Sequence, residues 1–172
     1  MPTESFSMNK NLPNKIGILK DLNPALHLGM IVLLGTALRF YNLGMESYWI
    51  DEMSTVIEGQ QSIFQVITSG RLDQPPAYYL PFHLWLQAFG TSEISTRLFS
   101  ALVGVGSIIL IYLVGRVLFG KEVGLFAAFL MAISEFQIYY SQQARFYSFF
   151  ELAALLSFLF FILALRSRRK ID

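Results

Sequence analysis

The chain has no cysteine, and only 15% of its 172 residues are charged. Lack of cysteine excludes a disulfide framework, a thiolate metal site and a cysteine nucleophile. Soluble domains carry roughly 25% charged residues, so the low charge excludes an ordinary soluble enzyme. It does not signal disorder, because 54% of the residues are hydrophobic and the mean hydropathy is +0.50. Net charge is +1, which makes no case for nucleic-acid binding. No G-x-S-x-G, Walker A or G-x-G-x-x-G motif occurs, and Gly104-Val105-Gly106 lies inside an apolar run.

What is present is a set of long apolar stretches. A crossing helix needs about 20 mostly apolar residues. Four stretches meet this: Ala25 to Leu43, Leu98 to Phe119, Val123 to Tyr140 and Phe146 to Leu165. The run from Tyr78 to Phe89 contains Pro81, His83 and Gln87 and is too short to span. The expected fold is an all-α membrane protein with about four transmembrane helices and short amphipathic helices in the first outer loop. The expected organisation is a cytoplasmic tail (1–23), a membrane domain (24–165) with an outer loop at 44–97, and a basic cytoplasmic end (166–172). No signal peptide is evident in the polar first 23 residues.

Charge placement supports four crossings. With a cytoplasmic N-terminus, Lys10, Lys15, Lys20, Arg116, Lys121, Arg166, Arg168, Arg169 and Lys170 fall inside, and Arg39, Arg71, Arg97 and Arg145 outside. That bias obeys the positive-inside rule. Counting Tyr78–Phe89 as a crossing would reverse it.

The outer loop is too long for a plain connector. Tyr48 and Trp49 favour the membrane interface. Val56, Ile57, Ile63, Phe64 and Ile67 recur at helical spacing, Gly59 breaks the run, and Ser62-x-x-Gln65 is a capping-box pattern. Two short surface helices are expected here. Pro75-Pro76 opens the next helix and Gly90 closes it. Gly120, Gly124, Ala128 and Ala132 form a small-residue stripe suited to close helix packing.

Several side chains are candidates for chemistry. Asp51 and Glu52 are adjacent acids just outside the first span. They read either as solvated acids at a helix N-terminus or as a carboxylate base, with Asp51 as a ligand to a divalent cation. Arg145 lies among amides and hydroxyls, where it reads as a phosphate fork or a snorkelling boundary residue. Arg97 and Arg39, at outer span ends, read as boundary anchors, and Arg97 is a second candidate for phosphate. Glu151 sits one turn into the fourth span and is expected to face the bundle, paired with Arg145 or Arg39. His27 and His83 lack a partner histidine at ligand spacing.

Six motifs occur in order: Leu38-Arg39-Phe40-Tyr41-Asn42-Leu43, Trp49-Ile50-Asp51-Glu52, Gln74-Pro75-Pro76-Ala77-Tyr78-Tyr79-Leu80, Phe89-Gly90-Thr91-Ser92-Glu93, Arg97-Leu98 and Tyr140-Ser141-Gln142-Gln143-Ala144-Arg145-Phe146-Tyr147. The pattern resembles the N-terminal part of polyprenyl-phosphate-sugar-dependent membrane glycosyltransferases of the GT-C fold, the protein-mannosyltransferase-like, aminoarabinose-transferase-like and Rgt-like enzymes of the family 39 type. The resemblance implies hexosyl or pentosyl transfer from a polyprenyl-phosphate donor to a lipid or protein acceptor on the outer face. It implies that Asp51 is the catalytic carboxylate or a metal ligand, with Glu52 as its companion. It places Arg145 near the donor phosphate and Tyr78, Tyr79 and Tyr147 in the pocket; Glu151, from its place in the fourth span, is a further pocket candidate.

Gln74 stands where such enzymes often carry His before the double proline. Such enzymes are also several times longer, so a truncated chain is expected, or one whose missing spans lie on a separate chain. The expected location is the plasma (inner) membrane with both termini cytoplasmic. The alternative to a transferase is a non-catalytic subunit or degenerate paralogue that binds lipid-linked sugar or a partner. A small transporter has only Glu151 in its favour.

Overall fold

A computed structural model describes residues 23–68 and 76–168. The described residues form eight helices and no strand: α1 (Pro24–Phe40), α2 (Ile50–Gly59), α3 (Ile63–Thr68), α4 (Pro76–Phe89), α5 (Glu93–Phe119), α6 (Lys121–Ile133), α7 (Glu135–Ser141) and α8 (Tyr147–Arg168). This is an all-α membrane protein. The tail at 1–22, Arg71, Asp73, Gln74 and Pro75 lie outside the described residues.

Local chemistry sets the boundaries. Pro24 opens α1, and the Asn23 side chain accepts from the Ala25 amide at 3.1 Å. Ser62 and Gln65 form the expected reciprocal box at the start of α3: the Ser62 amide donates to Gln65 Oε1 at 3.1 Å, and the Gln65 amide to Ser62 Oγ at 3.3 Å. Gly90, at φ +78, ends the α4 segment. Ser92 then caps α5, accepting from the Ser95 amide at 3.3 Å. The helix therefore begins five residues before the expected Leu98, and Arg97 lies within it rather than at a boundary.

Two helices, α5 and α8, are long and apolar enough to cross a bilayer alone. The apolar α1 has 17 residues, about 25 Å at 1.5 Å per residue, slightly short of a full hydrocarbon core. The third expected span is broken. Ser134 caps a new helix there, and α6 and α7 meet at 61°. The reason is that the Ser134 side chain competes for the Gln137 amide (3.5 Å) and starts a fresh turn.

Helix α5 is the central post, packing on α6, α8 and α1. The small-residue stripe works as packing: Gly124, Ala128 and Ala132 are buried. A Cβ on Gly124 would stand 2.6 Å from the Tyr112 carbonyl oxygen, so α5 and α6 touch backbone to backbone. Gly120 of the stripe does something else: at φ +99 it makes the turn between these helices. Ile108 and Tyr112 complete this core. A second core lies at the other end, where Val56, Tyr78, Tyr79, Phe82, Leu86 and Phe99 join α2, α4 and α5. It packs α2 and α4 against α5 as a layer.

Candidate functional site

Among the described residues, Asp51, Glu52 and Arg97 meet Arg145 at the end of the bundle where α1 ends and α5 and α8 begin. The first turn of α2 carries Asp51 and Glu52. Neighbouring helical residues point about 100° apart, so the two acids enter different surroundings.

Glu52 turns inward and is 2% exposed. Its Oε1 accepts from Arg97 Nε at 3.0 Å and from the Ala144 amide at 2.8 Å. Its Oε2 accepts from Arg97 Nη2 at 2.7 Å and from the Trp49 amide at 3.2 Å. Four donors fill the carboxylate's capacity. Burial pushes this carboxyl up; the Arg97 fork and the amides of Ala144 and Trp49 outweigh it and hold the group below the usual carboxylate range. Arg97 is equally committed. Besides Glu52 it donates to the carbonyls of Leu43 (3.2 Å), Glu46 (2.7 Å) and Ser47 (3.2 Å). All five of its N–H groups are thus engaged by the protein. Arg97, a candidate for phosphate, thus has its N–H groups taken up by the protein, and Glu52, the companion acid, has its carboxylate oxygens taken up likewise. Together they pin the start of α2 to α5 and to the loop before α8.

Asp51 turns outward, its side chain 76% exposed. Its Oδ2 lies 3.9 Å from Arg145 Nη2. Arg145 is itself held, its side chain 12% exposed. Its Nη1 donates to the Asp51 carbonyl at 3.0 Å and to Thr55 Oγ1 at 3.2 Å, and its guanidinium stands 5.2 Å from the Phe146 ring and 5.8 Å from the Tyr147 ring. A fixed cation therefore faces a solvated carboxylate. Among the described residues no group of three His, Cys, Asp or Glu could hold a metal. With Glu52 committed, Asp51 is the one acid of the pair left for a cation.

The aromatic candidates divide. Tyr78 is fully buried, stacked on Phe82 at 5.1 Å. Its hydroxyl, near Ser100, makes no hydrogen bond of good geometry among the described residues. Tyr79 donates to Glu58 at 2.5 Å; burial and that carboxylate push its phenol above the ordinary range. Both are buried and support α4 against α2 and α5. Tyr147 does face a cavity of about 320 Å³, shared with Phe136, Gln137, Tyr140, Ser148 and Glu151. Glu151 meets Gln137 there and lies within the electrostatic reach of Arg39 rather than Arg145. Tyr48, expected to anchor at the interface, instead ties the loop to α5: its hydroxyl meets the Thr91 carbonyl at 2.8 Å and Thr96 Oγ1 at 2.9 Å. His83 lies 2.8 Å from the Gly59 carbonyl, a contact between α4 and α2.

Sequence reasoning undervalued Arg39 and Gln142. Arg39 is 1% exposed rather than snorkelling. It donates to the carbonyls of Ala132 and Met131, both at 3.1 Å. Gln142 Nε2 reaches back to the carbonyls of Leu38, Arg39 and Tyr41 at 3.3, 3.3 and 2.8 Å. The need for both arises from the break at Ser134 and the end of α1, which leave carbonyls in need of a donor. A second cavity of about 240 Å³ lies beside the Glu52–Arg97 pair, bordered by Asn42, Glu46, Trp49, Tyr139 and Gln143.

Residues 73–171 match the family model described as dolichyl-phosphate-mannose-protein mannosyltransferase. The chain belongs to this family. Its fold is accordingly of the GT-C glycosyltransferase type. An uncharacterized protein of Aquifex aeolicus (strain VF5) is 31% identical over 106 residues, 56% of this chain and 21% of that relative. The match thus spans about a fifth of the relative's length. No solved structure matches the chain.

Proposed function

We propose that this chain is a membrane glycosyltransferase, or the N-terminal module of one, that moves a sugar from a polyprenyl-phosphate carrier to a hydroxyl of a lipid or protein. The observation that carries this is the exposed Asp51 carboxylate 3.9 Å from the Arg145 guanidinium, at the end of a bundle whose family description names a lipid-phosphate sugar donor. In this reading Asp51 takes the proton of the acceptor hydroxyl. The hydroxyl oxygen bonds to the anomeric carbon as that carbon's bond to the phosphate oxygen breaks. Arg145, fixed by Thr55 and two aromatic rings, stabilises the charge on the departing phosphate. A divalent cation, where one is used, draws its remaining ligands from the substrate's phosphate. The reacting end faces outward at the plasma membrane, and Arg116, Lys121 and Arg166 at the other end face the cytoplasm, as the positive-inside rule favours.

The test uses the whole chain in lipid vesicles, with labelled dolichyl-phosphate-mannose as donor and a serine-containing peptide as acceptor. Transfer is expected, and Asp51→Asn is expected to abolish it while the protein stays inserted. Undiminished turnover in that variant overturns the role of Asp51. A chain that retains the labelled carrier but never transfers it overturns the transferase reading in favour of a binding subunit.

A further inference from the structure

The break between α6 and α7 leaves the last carbonyls of α6 without helical donors, deep in an apolar bundle. Such groups are costly unless a partner reaches them. Arg39 supplies that partner from α1 through its bonds to Met131 and Ala132, while Nη1 also holds the Gly35 carbonyl at 3.2 Å. The mirror-image problem exists at the end of α1, whose final carbonyls also lack helical donors. Gln142, the residue that ends α7, answers it from the other side. The end of α6 is thus capped by a side chain from α1, and the end of α1 by the residue that closes α7. Between them the packing leaves no slack. A Cβ on Gly104 would stand 2.8 Å from Ser141 Cβ and 3.3 Å from Arg39 Nε, and one on Gly35 would stand 3.2 Å from Ala132 Cβ.

We infer that Arg39 and Gln142 are positioning residues: their capping fixes the α6–α7 bend and, through it, the loop that presents Arg145 to Asp51. The loop follows Gln142 directly. Two residues on, the Ala144 amide docks on Glu52, and one further, the Arg145 side chain reaches Asp51 and Thr55. Arg39 is buried and Gln142 lines the cavity beside Glu52 and Arg97, and the bonds of both run to helix carbonyls rather than to Asp51. The functional consequence rests on the transferase reading, whereas the interlock itself is a matter of geometry and is tested without turnover.

Because the chain has no cysteine, cysteines can be introduced for nitroxide labels at Met53 on α2 and Tyr139 on α7, both about half exposed. Pulsed electron resonance on the full chain in vesicles is expected to give one narrow distance. Gln142→Glu keeps the length but removes the donors and faces three carbonyls with a charge, so a second, longer population is expected. Gln142→Lys keeps a donor and is expected to retain the native distance, a contrast that filling of space alone would not produce. Arg39→Lys, with one donor group in place of a planar fork, is expected to broaden the distribution. Asp51→Asn is expected to leave it unchanged. A native distance in Gln142→Glu overturns the inference, and that variant decides the matter even where Arg39→Lys fails to accumulate. Loss of the native distance in Gln142→Lys equal to that in Gln142→Glu overturns it as well.

Discussion

Asp51 and Glu52 are chemically alike and adjacent in the chain, yet the fold gives them opposite surroundings. Glu52 is buried, bonded by four donors and matched bidentately to an arginine that is itself fully engaged. Asp51 is solvated and meets its arginine at the edge of ion-pair distance. The first pair is architecture: it joins α2, α5 and the loop before α8 at a single point. The second is free to exchange partners, which acid–base work requires. The contrast teaches that one helical step separates a carboxylate spent on the scaffold from one left exposed, the one that the transferase reading puts to work.

The largest break in that contrast is a cut through the buried pair. Arg97→Leu leaves the Glu52 carboxylate buried without its counter-charge, and this is expected to cost about 3–5 kcal/mol. The measure is the unfolding midpoint in mixed micelles. Replacing Glu52 and Arg97 together by apolar residues is expected to cost less than either single change. Acid reaches the same pair by another route. Because the folded carboxyl of Glu52 titrates below its ordinary range, its contribution is complete above the unfolded value, about 4.3. It is lost as pH falls through the lower folded value. Stability measured from pH 6 downward is therefore expected to fall more steeply in the native chain than in Glu52→Gln.

Much of this layout was legible in the sequence. Apolar length gave the helices of the bundle, Ser62-x-x-Gln65 gave a cap, and the Gly124–Ala128–Ala132 stripe gave a packing face. The meeting of residue 51 with residue 145 also followed from counting spans and asking which ends share a face. What stayed hidden depends on partners distant in sequence. An arginine near a span end looks the same whether it snorkels or caps another helix, so Arg39 and Arg97 were read as anchors. The bend at Ser134 was invisible because hydropathy is continuous across it. The burial of Tyr78 and Tyr79 was hidden as well, because sequence does not tell an exposed aromatic from one packed in a core.

A smaller effect is expected where the scaffold behind the site is overfilled. At Gly104 the added methyl of Gly104→Ala meets Ser141 and the Arg39 guanidinium. Gly29 offers the control, since nothing lies within 4 Å of a Cβ built there. Gly104→Ala is expected to destabilise by about 1–3 kcal/mol, and Gly29→Ala to be neutral or slightly stabilising. Equal midpoints for the two variants would mean that the close approach of α5 to Ser141 is not a constraint.

The smallest effect is expected at the pair with the strongest claim to chemistry. Asp51 is solvated, so its attraction to Arg145 is screened by water and by salt. A double-mutant cycle with Asp51→Asn and Arg145→Gln is expected to give a stability coupling of at most about 1 kcal/mol, shrinking further as salt is raised. In the transferase reading, the same two substitutions each remove transfer and so behave as parts of one unit, far from additive. That separation of a small stability coupling from a large functional one is what sets this pair apart from Glu52 and Arg97, where both quantities should fall together. A coupling of several kcal/mol, insensitive to salt, would make the outer pair a second staple and move the search for the reacting carboxylate elsewhere.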